Sequence, residues 1–360
     1  MKFPTVSGGF RPWQVAAAML LGVSFAAAQN ETPAPKPAIQ APLADQSLML
    51  DVIAHDGGFV AVGARGHVLL SEDGRQWRQA QSVPVQATLT RVTGFGRRLW
   101  AVGHDAVILS SSDGGENWFI QHRAPEDQEP LLDVRFVNAN QGFAVGAYGR
   151  FMTTNDGGIN WLSERLADRL TSEAIDWTAV ARQQGEIETI PDEFQDADDG
   201  GAEASVNKGC YEFGECHLNS ILDLDDGRMM IAAEAGYGFR TTDEGRTWES
   251  FRFPYPGSMF GLLAQRDCVL AFGLRGHIQR SCNFGSSWNE VPHDSEQSLL
   301  GGDVRSNGTA ILVGAGATRI AVEPGGMPEV QADQLGSDYA AVAAAADGLI
   351  LAGENGVRHE

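Results

Sequence analysis

One short turn is spelled five times along this chain. The copies SEDGRQW, SSDGGENW, TNDGGINW, TDEGRTW and CNFGSSW end at Trp77, Trp118, Trp161, Trp248 and Trp288. Repetition at a fixed period settles architecture before any local preference does. The tryptophans advance by 41, 43, 87 and 40 residues, and a unit of about 40 residues suits a four-stranded blade. A second signal, a Val-Gly-like step, falls at Gly63, Gly103, Gly146, Glu234, Gly273, Gly314 and Gly353. Before each lies a common first strand: LMLDV, TLTRV, LLDVRF, HLNSIL, MFGLL, LLGGDV and YAAV. The fold class expected is all-β, a β-propeller of seven blades spanning residues 47–360. The gap of 87 is read as an insertion over 163–216, because that stretch carries neither signal. A ring must hide its edge strands. The segment Ala38 to Gln46 is expected to supply the fourth strand of the last blade.

The turns fit the Ser/Thr-x-Asp-x-Gly-x-Thr-Trp pattern known as the Asp-box or BNR repeat. Their acidic residues Asp73, Asp113, Asp156 and Asp243 suit backbone N–H capture within a hairpin. Glycine permits φ > 0, and each Trp offers a large apolar area between blades. This is structural chemistry. Asn283 stands at the same place in blade five, which a capping role tolerates and a catalytic one does not.

Lys2 and Arg11 precede an apolar run from Val15 to Phe25, and Ala26-Ala27-Ala28 gives a small-residue cleavage pattern. Residues 1–28 are therefore expected to be a secretory signal peptide, since the run is too short to span a membrane. Residues 29–46 hold a Pro-rich linker and the closing strand. Export implies a periplasmic location and permits disulfides. Cys268 and Cys282 face each other across the hairpin of blade five and are expected to pair, as are Cys210 and Cys216. Their spacings do not match the usual zinc pairs. The net charge of −21 argues against nucleic acid and anionic lipid. Only three lysines are present, a composition that also suits a salty environment.

The insertion begins with LSERLADRLTSEAIDWTAVARQQGE, which reads as helical, and continues as an acidic loop. QDADDGG in that loop fails the EF-hand spacing, because Gln195 and Ala197 fall where ligands belong. Leu166, Leu170, Ile175 and Trp177 would offer apolar contacts to a partner, and removing residues 167–208 should leave a folded ring. Asp51, Arg91 and Asp133 align in the first strands and are placed to point into the central channel. His67, Arg150 and His277 share one position after the glycine that turns into the third strand, where they either ring a face or serve as turn residues. No metal or cofactor is expected.

The blade LLDVRFVNANQGFAVGAYGRFMTTNDGGINW resembles the repeat of the photosystem II stability/assembly factor-like family of BNR propellers. The resemblance covers residues 47–360 apart from the insertion. It implies an exported, monomeric, non-catalytic scaffold that binds a membrane protein or complex on its periplasmic side. Bacterial members without photosynthesis occur beside exporters of the resistance-nodulation-division type. Asp-boxes also occur in sialidases, so a sialidase-like glycoside hydrolase is an alternative, and a carbohydrate-binding module is a third. FRFP at Phe251 to Pro254 looks like a sialidase motif but follows the fourth Asp-box instead of preceding the first.

Overall fold

Apolar runs of four to seven residues, broken by glycine and aspartate turns, are long enough for strands and too short for helices. In the computed structural model, which describes residues 1–2, 33–171, 216–331 and 336–360, they form seven antiparallel sheets. Blade one is typical. Met49–His55, Gly58–Gly63, Val68–Ser71 and Arg78–Gln79 pair in chain order, from the inner strand to the outer. Five further sheets repeat this order. The seventh has three strands, Tyr339–Ala345, Gly348–Gly353 and Gly356–His359.

Each inner strand packs against the inner strand of the next blade, and Tyr339–Ala345 packs against Met49–His55 to close the ring. Burial lies mainly between blades. Val60 and Leu70 of blade one meet Leu99 and Trp118 of blade two. At the seam, Met49 and Val52 meet Ala341 and Ile350.

Every inner strand carries one irregularity near its start. Met49 pairs with Gly63 and Asp51 with Val62, so Leu50 is an extra residue, and the same slip recurs in all seven blades. Such bulges bend a strand and re-aim the side chain that follows. They also explain the Val-Gly step. A Cβ at Gly63 would lie 2.2 Å from the Leu48 carbonyl oxygen, and one at Gly146 would lie 2.3 Å from that of Pro130. In six blades the glycine gives room at the bulge while its own backbone is extended, and blade four fits Ala233 at the same place.

Several expectations need correction. The N-terminal segment adds no fourth strand to the last blade. Ala44–Gln46 form a 3-10 turn against Gly356–His359, and Ala38 donates its N–H to Val83 instead. The ring is closed by side chains, so the hydrogen-bonded clasp is not needed. In blade four the register puts Ala233, not Glu234, opposite Leu218, where other blades have their glycine.

The insertion starts later than residue 163, because Leu162–Arg165 is the outer strand of blade three. Leu166–Arg169 is a 3-10 turn. Beyond it the chain wedges along blade four. Trp248 donates its N–H to Arg169, and Thr171 donates its own to Trp248. Leu166 is buried, and Leu170 packs against the same cluster. Neither is offered to a partner, and a deletion starting at 167 would cut this wedge. The step from blade one to blade two is built alike, with Ser82 bridging Asn117 beside buried Val83 and Val85.

Cys268 and Cys282 are disulfide-bonded. Cys216 is disulfide-bonded as well, and its carbonyl accepts the Gly149 N–H at 2.6 Å. Cys210, Ile175, Trp177, the QDADDGG loop and residues 3–28 of the expected signal peptide lie outside the described residues. Among the described residues no helix is long and apolar enough to cross a membrane.

Candidate functional site

The Asp-box carboxylates are consumed by their own hairpins. Asp73 Oδ1 accepts the N–H groups of Arg75 and Gln76, both at 2.9 Å. Asp243 accepts the N–H and hydroxyl of Thr247 and the hydroxyl of Thr241. Asn283 fills the same seat by accepting the Ser287 N–H and donating to its hydroxyl. The tryptophans close the motif. Trp118 and Trp248 are buried and donate their indole N–H to Gly115 and Gly245.

These bonds lower the carboxyl pKa of Asp73, Asp113, Asp156 and Asp243. For Asp243 burial pushes upward, but the bonds to Thr247 and Thr241 outweigh it. A lowered folded pKa adds stability above the unfolded value, lost as pH falls through the folded one. The ring is therefore expected to weaken below about pH 4. The Asp243→Asn variant should show a shallower acid limb when urea midpoints are followed with pH. An acid limb identical to wild type would show that this carboxylate contributes none of the dependence.

The bulge places one residue of every inner strand on a central channel of about 340 Å³: Asp51, Arg91, Asp133, Ser220, Gly261, Gly301 and Ala341. The side chains of blades one to four are polar and those of blades five to seven are minimal. Arg91 lies 3.4 Å from both Asp51 and Asp133. The aspartates also tie the blades together. Asp51 accepts the Val92 N–H at 2.8 Å and Asp133 that of Ile221 at 2.9 Å. Asp303, two positions further along its strand than Gly301, does the same for Ala344. Sequence reasoning missed Asp303, although one more alignment column contains it.

Burial raises the Asp51 pKa against the pull of Arg91 and the Val92 N–H. Burial also raises Asp303. It disfavours the Arg91 charge too, but Asp133 and Asp51 more than compensate and hold that guanidinium protonated. Each of these carboxylates is thus committed to backbone N–H groups.

The structure does not join His67, Arg150 and His277 into one exposed ring. His67 is buried, and burial with nearby Arg65 lowers its pKa. Arg150 is buried between Asp127 and Glu129, and Glu129 also holds Arg165 at 2.7 Å. His277 stacks on Tyr255 with ring centres 3.6 Å apart and has Nδ1 2.9 Å from Glu290. Tyr148, at φ 54°, is exposed at the turn before Arg150. The FRFP segment forms the outer edge of blade four. Arg252 lies over the Tyr237 ring at 3.9 Å, and neither lines the channel.

The ring of small antiparallel sheets, together with its Asp-box hairpins, defines a BNR-repeat β-propeller. Within that class, part of the chain resembles the Ycf48 family. Residues 120–268 match the profile of the family described as photosynthesis system II assembly factor YCF48. A curated relative, the photosystem II assembly lipoprotein Ycf48 of a Picosynechococcus species, is 39% identical over 51 residues. That match spans 14% of this chain and 15% of the relative. Among solved structures, one described as YCF48 bound to D1 peptide superposes with a TM-score of 0.60 at 15% identity, covering 91% of this chain and 94% of the other. YCF48 from Cyanidioschyzon merolae also gives 0.60, at 17% identity, covering 89% and 97%.

Proposed function

We propose that this chain is an exported, non-catalytic assembly or stability factor. It binds a segment of an inner-membrane protein or complex from the periplasmic side. The observation that carries this reading is the YCF48 family match across residues 120–268, which covers the outer strand of blade two to the start of blade five's second strand. A related propeller has been solved with a peptide of D1 bound, so peptide capture is within reach of this architecture. The resemblance suggests an exporter of the resistance-nodulation-division type as the partner here. The basic start, apolar run and Ala26-Ala27-Ala28 support export, and so does the disulfide use.

The channel favours binding over hydrolysis. A glycosidase needs two carboxyl groups free to act as acid and nucleophile or base. Asp51, Asp133 and Asp303 are instead engaged by backbone N–H groups. Fold alone assigns no activity, so the test is biochemical. A C-terminally tagged full chain, matured in the periplasm, should start after Ala28 and retain one integral membrane complex from detergent extracts. Recovery with soluble proteins only, or turnover of sialosides by the pure protein, would overturn the reading.

A further inference from the structure

The repeats themselves show what one vacant place on the ring is shaped to hold. At the start of the second strand, blades two, three and four carry Arg98, Gln141 and Arg228, and each reaches the Asp-box of the following blade. Arg98 donates to the carbonyls of Ala139 at 3.2 Å and Gly157 at 2.8 Å, with its guanidinium over the Trp100 ring. Gln141 donates to the Glu244 carbonyl, and Arg228 lies over the Phe284 ring. Gly157, Glu244 and Phe284 all follow the acidic or amide residue of their box.

Blades five, six and seven carry Cys268, Thr309 and Gly348 at this position and do not share the contact. Blade one also lacks it, at the place where a cleft opens. Its residue at that position is Gly58, which has no side chain to send across. The residue of blade two that corresponds to Gly157 is Gly114. A Cβ at Gly157 would lie 2.6 Å from Arg98, whereas one at Gly114 would meet nothing within 4 Å. Counted from the Ser or Thr that heads the box to its Trp, blade one's box (Ser71 to Trp77) is also one residue shorter than the other four. The result is a cleft of about 840 Å³ between the blade-one hairpin, its Asp-box and Gly114.

The walls of the cleft are chemically specific. Phe59 and Trp77 supply aromatic surface, and Asp56, Glu72 and Asp73 supply negative charge. Arg78 is held by Glu116, and among the described residues Asp56 has a loose, exposed partner in Arg97 at 3.8 Å. His55 lies against Gly94, and its buried Nε2 has no hydrogen-bond partner among the described residues.

We propose that this cleft receives an arginine side chain from a basic segment of a partner protein. Its guanidinium would take the place that Arg98 takes one blade on, donating to the Gly114 carbonyl with Asp56 and Glu72 as counter-charges. A planar fork of donors can satisfy several oxygens at once while lying on an aromatic wall, which an ammonium does less well. This site is separate from the channel and does not depend on the identity of any membrane partner.

The probe is a blocked peptide, acetyl-Gly-Arg-Gly-amide, titrated into the ¹⁵N-labelled mature protein. Its citrulline counterpart keeps the shape and removes the charge. The arginine peptide should shift the amides of Gly57, Glu72 and Gly114 saturably, and the citrulline peptide should not. The double variant Asp56→Asn with Glu72→Gln should weaken binding about tenfold, since charge-assisted bonds are being removed at exposed positions. Both residues are exposed, so the variant keeps the fold, and an unaltered spectrum elsewhere verifies that. Equal binding of the citrulline peptide, shifts spread without saturation over the acidic surface, or unchanged affinity in the double variant would each refute the proposal.

Discussion

Trp248→Ala is expected to cost about 3–5 kcal/mol of unfolding free energy, the range for truncating a fully buried aromatic. Trp248 has no exposed surface. Its indole packs edge-on against Phe151 of blade three at 5.8 Å and donates to the Gly245 carbonyl. Its main chain holds both Arg169 and Thr171, so a cavity here loosens the wedge that joins the two blades. The repeats provide an internal control. Trp77 occupies the same motif position and makes the same indole bond to Gly74, yet it is only half-buried. Trp77→Ala should therefore cost about half as much, because the removed area scales the loss. Urea unfolding of both variants, with circular dichroism as readout, checks the difference. Equal losses would mean that the motif position, not burial between blades, sets the energy.

That contrast shows what a sequence of this kind discloses. The blade count and the Asp-boxes were legible because the turn is local chemistry. Ser71, Asp73 and Gly74 act on one another within four residues, so spelling is enough. Where two distant strands must meet, spelling failed. The Val-Gly step was visible, but its cause, a bulge opposite Gly63, appears only once the register is known. Leu166 and Leu170 have the spacing of a helix face, yet the chain uses them as a wedge between blades, as it uses Val83 and Val85 earlier. The need to hide an edge predicts a strand over Ala38 to Gln46. Pro42 removes an N–H donor from that stretch, and the chain turns at Ala44 instead.

The candidate site divides in the same way. Asp51, Arg91 and Asp133 could be aligned from the inner-strand pattern, since one residue per blade follows the bulge. Their pairing needed the ring, which sets successive blades side by side. Arg98, Gln141 and Arg228 were overlooked, although they too form one column of the repeat. Their absence at Gly58 became meaningful only when the structure showed where the others reach. In a molecule built by repetition, an informative position is one where a blade lacks a contact that other blades make.

The second large effect concerns the channel. Arg91→Ala should destabilise the ring by about 3 kcal/mol at neutral pH, because it strands two buried carboxylates that now face one another. Asp51 and Asp133 are each less than a tenth exposed and have Arg91 as their shared counter-charge. The sign of the pH dependence separates this cause from lost packing. Burial already raises the folded pKa of Asp51 above its ordinary value, and removing Arg91 deletes the cation that opposes the rise. A raised folded pKa contributes stability that is complete below the unfolded value and disappears as pH climbs through the folded one. The variant should therefore recover toward wild type as pH falls from about 7 to about 4, because the wild type keeps the cation that opposes the rise and has the smaller slope over that range. Urea midpoints of both proteins across this interval provide the measurement. A deficit of the same size at every pH would show that Arg91 acts through its aliphatic packing, and the aspartates would then owe their place to the Val92 and Ile221 amides alone.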